Sequence, residues 1–172
     1  LETQLQKRAA RPRLPESWTA GTLVMYRGEP TPLAWSEERQ AFCLGDQVVR
    51  VAERNGHVRW AVERHLWRAG REERGPRTLE LAQVHEVPVR RVLVRNQRSR
   101  WGSCSAKGTV SLNWRLIQTP EWVRDYLIVH ELMHLRQMNH SRRFWEHVAQ
   151  ACPDYKAAEA WLNRHGELLR GR

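Results

Sequence analysis

Apolar and polar residues change their spacing along this chain, and the changes separate a β-rich start from a helical remainder. Between Gly21 and Val51 short apolar runs alternate with turn residues: TLVMY leads into RGEPTP, and AFCLGDQVVRV holds Gly45-Asp46 between two apolar runs, as a hairpin would. Asn55-Gly56 marks another turn. From Val58 the period lengthens, and Val58, Ala61, Val62, His65, Leu66 and Ala69 share one face of a predicted helix. GREERGPR interrupts that pattern, Thr78 to Val87 resumes it, and Pro88 is expected to end it.

VRRVLVR predicts a strand. RWGSCSAKGTVSLNW predicts two short strands about a Lys107-Gly108 turn, with Val110 and Leu112 alternating against Thr109 and Ser111. Thr119-Pro120-Glu121 opens a helix as N-cap, first helical proline and first-turn acid. Val123, Leu127 and Ile128 carry this helix onward, and Asn139 is the expected stop. Ser141 caps a second helix, RRFWEHVAQAC, and Pro153 opens a third that runs towards Leu169. The order of elements predicts an α+β fold. Residues 1–17, with three arginines, Pro12 and Pro15, predict a poorly ordered basic arm, and 18–172 a single domain with its β-rich part over 18–57.

Composition narrows the function classes. No apolar run is long enough for a membrane span, and the first residues hold no apolar signal core. Three widely spaced cysteines (Cys43, Cys104, Cys152) argue against a disulfide framework and for a reducing compartment, so the expected location is the cytoplasm. Nine tryptophans stand against two phenylalanines, and most of the indoles are expected in core or groove positions. The formal charge is +10, and residues 90–100, RRVLVRNQRSR, carry five arginines and no acid. Such a run is either a solvated strand and loop or a nucleic-acid contact.

The densest chemistry lies in VHELMHLRQMNHSRRFW. His130 and His134, four apart, share one helical face and can chelate one metal ion, while Glu131 projects from the adjacent sector towards a metal-activated water. A catalytic zinc site takes three protein ligands and an open position. The candidates for the third are His140, Glu146, Glu159 and His147. On an unbroken helix the six residues after His134 turn about 600°, so His140 reaches the site only if the helix breaks first. The spacing matches metzincins, but Gln137 stands where their turn glycine belongs and no methionine follows His140. That assignment fails. His57, His65, His85 and His165 are isolated and read as surface or packing residues.

RSRWGSCSAKGTVSLNWRL followed by VRDYLIVHELMHLRQMNHSRRFWEHVAQACPDY closely resembles the YgjP-like zinc metallopeptidases, relatives of SprT-like proteases in the zincin superfamily. The resemblance covers about 95 to 160 strongly and the earlier helical and β-rich stretches more loosely. It implies a zincin-like core over 58–172, with a small mixed sheet packed on the HExxH helix. It also implies Zn2+ at His130, His134 and His140, Glu131 as general base, and a protein or peptide substrate laid along Gly108, Thr109, Val110, Ser111, Leu112 and Asn113 by strand addition.

Arg115, Tyr126 and Tyr155 are candidate oxyanion donors. Cys104 is either a fourth, silencing ligand or a small packed residue. Two other functions stay open: a DNA-associated protease acting on DNA-bound or crosslinked proteins, and a non-catalytic zinc-stabilised binding module.

Overall fold

A computed structural model describes residues 17–52 and 58–169. The expected arm (apart from Ser17), the Asn55-Gly56 turn and His57 lie outside the described residues. The chain forms an antiparallel ribbon, β1 (Leu23–Tyr26) with β2 (Glu29–Pro32), then a three-stranded antiparallel sheet of β3 (Ala34–Ser36), β4 (Ala41–Leu44) and β5 (Gln47–Val49). A long helix α1 (Arg59–Val84) leads to β6 (Arg91–Arg95), β7 (Gly102–Cys104) and β8 (Thr109–Asn113). A 3-10 turn, Trp114–Gln118, precedes α2 (Glu121–Met133), α3 (Arg142–Ala151) and α4 (Tyr155–Leu169). The α+β class expected from the spacing is the one observed.

The expected break in the first helix does not occur. Buried residues recur every four positions through it, from Val62 and Leu66 to Gly70, Arg74, Thr78 and Ala82. The middle of this stripe is glycine, arginine and threonine, so it carries no apolar signal although it is packed. Gly70 lies where an added Cβ would stand 3.3 Å from the Trp114 carbonyl, and the Thr78 hydroxyl donates to the Arg74 carbonyl at 2.7 Å. Tertiary contact overrides the low propensity of Gly75-Pro76. The helix also ends before Pro88. Glu86 sits in the left-handed region (φ 53°), its N–H bonds the Gln83 carbonyl, and the Val87 N–H bonds that of Ala82. This is a Schellman stop without glycine.

In the second sheet β8 is central, parallel to β6 and antiparallel to β7. Its residues 110–113 are all buried. Two hydrophobic cores meet at the 3-10 turn. Leu116 belongs with Leu112, Ile128, Leu132, Phe144 and Val148, whereas Trp114 and Ile117 belong with Val24, Phe42, Leu44, Val62 and Leu66. The β1–β2 turn docks on the same segment, the Arg27 and Gly28 N–H groups donating to the Ile117 and Gln118 carbonyls at 3.1 and 2.8 Å. Arg77 of α1 grips both oxygens of Asp125 on α2.

Because the turn closes both cores, Leu116→Ala is expected to lower stability by about 2–5 kcal/mol in one cooperative urea transition. Two separable transitions by tryptophan fluorescence and circular dichroism would show instead that the cores unfold independently.

Candidate metal centre

α2 has a buried face formed by Val123, Leu127, Ile128 and Leu132, which presses the helix onto the sheet and turns His130 towards a cleft. Its start differs by one position from the expectation: Pro120 is the N-cap, and the Thr119 hydroxyl instead donates to the Leu116 carbonyl at 2.8 Å. Its end differs by more. The last helical residue is Met133, with His134 as C-cap still in helical conformation (φ −62°, ψ −21°), so the one-turn relation of the two histidines survives. The Leu135 and Arg136 N–H groups then bond carbonyls three residues back, Leu132 and Met133, and tighten the chain into a turn. Asn139 is not the stop and has no left-handed backbone; its side chain accepts from Gln137 at 2.7 Å.

That early stop brings His140 back. His130 Nε2 and His140 Nε2 lie 3.3 Å apart, and ligand atoms of His130, His134 and His140 all fall within 4.8 Å of one another. Two nitrogens held at 2.0–2.1 Å by one tetrahedral ion lie about 3.3–3.4 Å apart. The donor set therefore fits a small divalent metal. The distal nitrogens are held from behind: His134 Nδ1 lies 3.3 Å from the Gln137 carbonyl, which orients it as a donor, and His130 Nδ1 lies 3.3 Å from the Tyr126 hydroxyl. Tyr126 in turn donates to Glu159 at 3.3 Å. Phe144, fully buried, forms the floor, stacked on His134 at 4.5 Å and edge-on to His130 and His140.

Electrostatics suit ligation. Burial, then the neighbouring His134 and His140, push His130 down to about 4, so its imidazole is neutral and free to ligate near pH 7. Burial raises Glu131 to about 7, against the opposing pull of Arg100. Glu131 lies against Gly102 of β7, where an added Cβ would stand 2.7 Å from Oε1. Arg100, Trp101, Gly102, Ser103 and Cys104 form the cleft wall facing the histidines.

The other candidates separate. Glu146 pairs with Arg142 at 3.0 Å, and Glu159 stands behind Tyr126. His147 is outside the group of convergent ligand atoms, as is Cys104, whose thiol burial pushes up to about 11. Tyr126 faces the far nitrogen of His130, Tyr155 stacks on Trp145 at 5.5 Å, and Arg115 lies over Trp114 in a different groove.

The strand expectation needs correction. Residues 109–113 pair with β6 on one side while 110–112 pair with β7 on the other, so 108–113 offers no edge to a substrate. Gly108 spends its backbone on the turn (φ 83°), its N–H and carbonyl bonding Ser105 and the start of β6. β7 is the edge strand beside the histidines. Sequence reasoning also passed over Gly102, Arg100 and Phe144. Gly102 had a signal in the RWGSC segment, a glycine inside a predicted strand, which marks close approach of another group.

The family model for the YgjP-like metallopeptidase domain matches residues 1–165. No curated protein matches the chain. Among solved structures, the metallopeptidase zymogen of Pyrococcus abyssi abylysin is 23% identical with a TM-score of 0.47, covering 56% of this chain and 96% of that one. That of Methanocaldococcus jannaschii jannalysin is 19% identical with a TM-score of 0.42, covering 50% and 92%.

If Tyr126 orients His130, Tyr126→Phe lowers metal affinity about 10–100-fold with the circular dichroism spectrum unchanged. Competition against a chromophoric chelator measures it, and an affinity equal to wild type removes Tyr126 from the site.

Proposed function

The chain belongs to the YgjP-like metallopeptidase domain family, and from that membership we propose that it is a zinc peptidase with Glu131 as general base. The observation that carries this reading is the convergence of three imidazole nitrogens, a buried carboxylate and a free strand edge on one cleft. His130, His134 and His140 would hold the ion, a donor set of three nitrogens that suits zinc. Bound there, zinc supplies Lewis acidity towards water and the scissile carbonyl.

The remaining steps belong to the chain. The Trp101 carbonyl accepts from the Asn113 N–H, and the Ser105 N–H donates to the Thr109 carbonyl. By the alternation of an antiparallel ladder, the backbone groups of Gly102 and Cys104 then face the open edge. An extended peptide adds to that edge and lies across the histidines. Glu131 takes a proton from the attacking water on a carboxylate oxygen and returns it to the leaving nitrogen. Arg100 lines the same cleft and brings a cation to it, whereas Arg115 and Tyr155 are outside it.

A non-catalytic zinc module gives Glu131 no task, so catalysis is the better account of a buried carboxylate opening on the metal cleft. Among the described residues no helix is long and apolar enough to cross a membrane. A reducing compartment, the cytoplasm, suits the free thiols of Cys43, Cys104 and Cys152.

Glu131→Gln is expected to retain about one metal ion per chain and to lose about 10²–10⁴-fold in hydrolysis of an unfolded protein substrate. Cleavage at the wild-type rate would refute the role of Glu131. Gly102→Ala displaces the same carboxylate, so kcat should fall about tenfold or more with metal content unchanged. An unchanged kcat would show that β7 does not position the base.

A further inference from the structure

We infer that a groove on the outer face of α1, remote from the histidines, binds single-stranded nucleic acid by stacking bases on Trp60 and Trp67. Most indoles of the chain are covered, but Trp60 is 68% exposed and Trp67 42%; Trp122 on α2, at 49%, is also exposed but does not line this groove. Both lie on one stripe of α1 with Arg64, Arg68 and Arg71, a row about 16 Å long at 1.5 Å per residue. Two large aromatic faces left in water on one helical stripe lose burial that the core would have given them, which points to a ligand with flat faces.

The charges fit a polyanion. Arg64, Arg68, Arg71 and Arg95 are exposed, and none pairs with a carboxylate among the described residues. Arg64 lies 5.0 Å over the Trp60 ring and Arg115 4.5 Å over Trp114, whose ring contributes to the floor together with Val94. Glu63 also lines the groove, but Arg59 neutralises it at 3.1 Å. Glu72 is exposed on the next turn, near His65 and Arg68. A neighbouring cavity shares Arg71 and Val94 with this groove and is lined by Val92, Leu93 and Arg95 of β6. The basic run 90–100 is thereby divided: Arg95 lines that neighbouring cavity, while Arg100 opens on the metal cleft. An acidic peptide satisfies the arginines but has no use for paired exposed rings, whereas unpaired bases stack on aromatic faces while arginines take the phosphates.

Fluorescence anisotropy of labelled twelve-nucleotide thymidine and uridine oligomers, with the full metal-loaded chain, tests this. Single strands are expected to bind more tightly than a duplex of equal length. With four phosphates neutralised, affinity falls about fiftyfold between 50 and 200 mM salt. Trp60→Ala with Trp67→Ala, both surface changes, should weaken binding about tenfold or more and keep that salt dependence. Arg64→Gln with Arg71→Gln should reduce the logarithmic salt slope by about 1.4. Peptide hydrolysis should be unchanged in both variants, and Glu131→Gln should bind the oligomers as wild type does, which separates this site from the peptidase chemistry. Equal binding by the tryptophan variant overturns the inference. So does a duplex or a polyglutamate competitor that binds as well as the single strands.

Discussion

The end of α2 at Met133 is the constraint on which the metal centre depends. One more turn of helix would carry His140 out of reach of His130, since each residue adds about 100° and 1.5 Å. The chain stops because Leu132 and Met133 are held in the core while the following N–H groups take carbonyls three residues back. Arg136 secures the turn from outside by donating to the His85 carbonyl at 2.6 Å, just beyond the end of α1. Gln137 needs no left-handed backbone for this path, and its carbonyl becomes the partner that orients His134. Ser141 then caps α3 through the Phe144 N–H, placing Phe144 beneath all three imidazoles. Stopping the helix, orienting a ligand and laying the floor are thus one local event.

Stability and function pull apart around this event. Glu131 is buried to the point that its charged form is disfavoured, and Gly102 gives up a side chain to admit it. A carboxylate so placed adds nothing to packing and is tolerated because Leu132 and Ile128 on the same helix are fully buried. Farther off, Arg74 is wholly buried with Nε and Nη1 unpartnered among the described residues and is pushed down to about 9 by desolvation, a cost set against the Val62 and Leu66 burial of the same helix.

Much of the β-rich start, the Lys107-Gly108 hairpin, the Ser141 cap and the three histidines were legible because each rests on contacts near in sequence or on a chemical spacing. What was not legible rests on distant contacts. The continuity of α1 through Gly70, Arg74 and Pro76 depends on the Trp114 carbonyl and on core packing that no local pattern encodes. The alternation in GTVSLN shows a strand but not its neighbours; only the parallel pairing with β6 makes it central and moves the open edge to Gly102–Cys104. Glu159 and Tyr126 were legible as chemistry near the site but not as layers, because distance along a helix does not say which nitrogen of His130 a partner will face.

The central position of β8 also bears on how the two faces of the molecule relate. Asn113, at its end, is fully buried and donates from Nδ2 to the Gln97 and Arg100 carbonyls while its Oδ1 accepts from the Arg115 N–H. It therefore ties the loop that starts at Asn96, beside the tryptophan groove, and ends at Arg100, beside the histidines. Both donors and the acceptor of its amide are satisfied, and such a network rigidifies instead of switching. Coupling between sites requires an element with two arrangements of similar free energy. A loop so held lacks one, so it gives a ligand in the groove no means of altering the chemistry of Glu131.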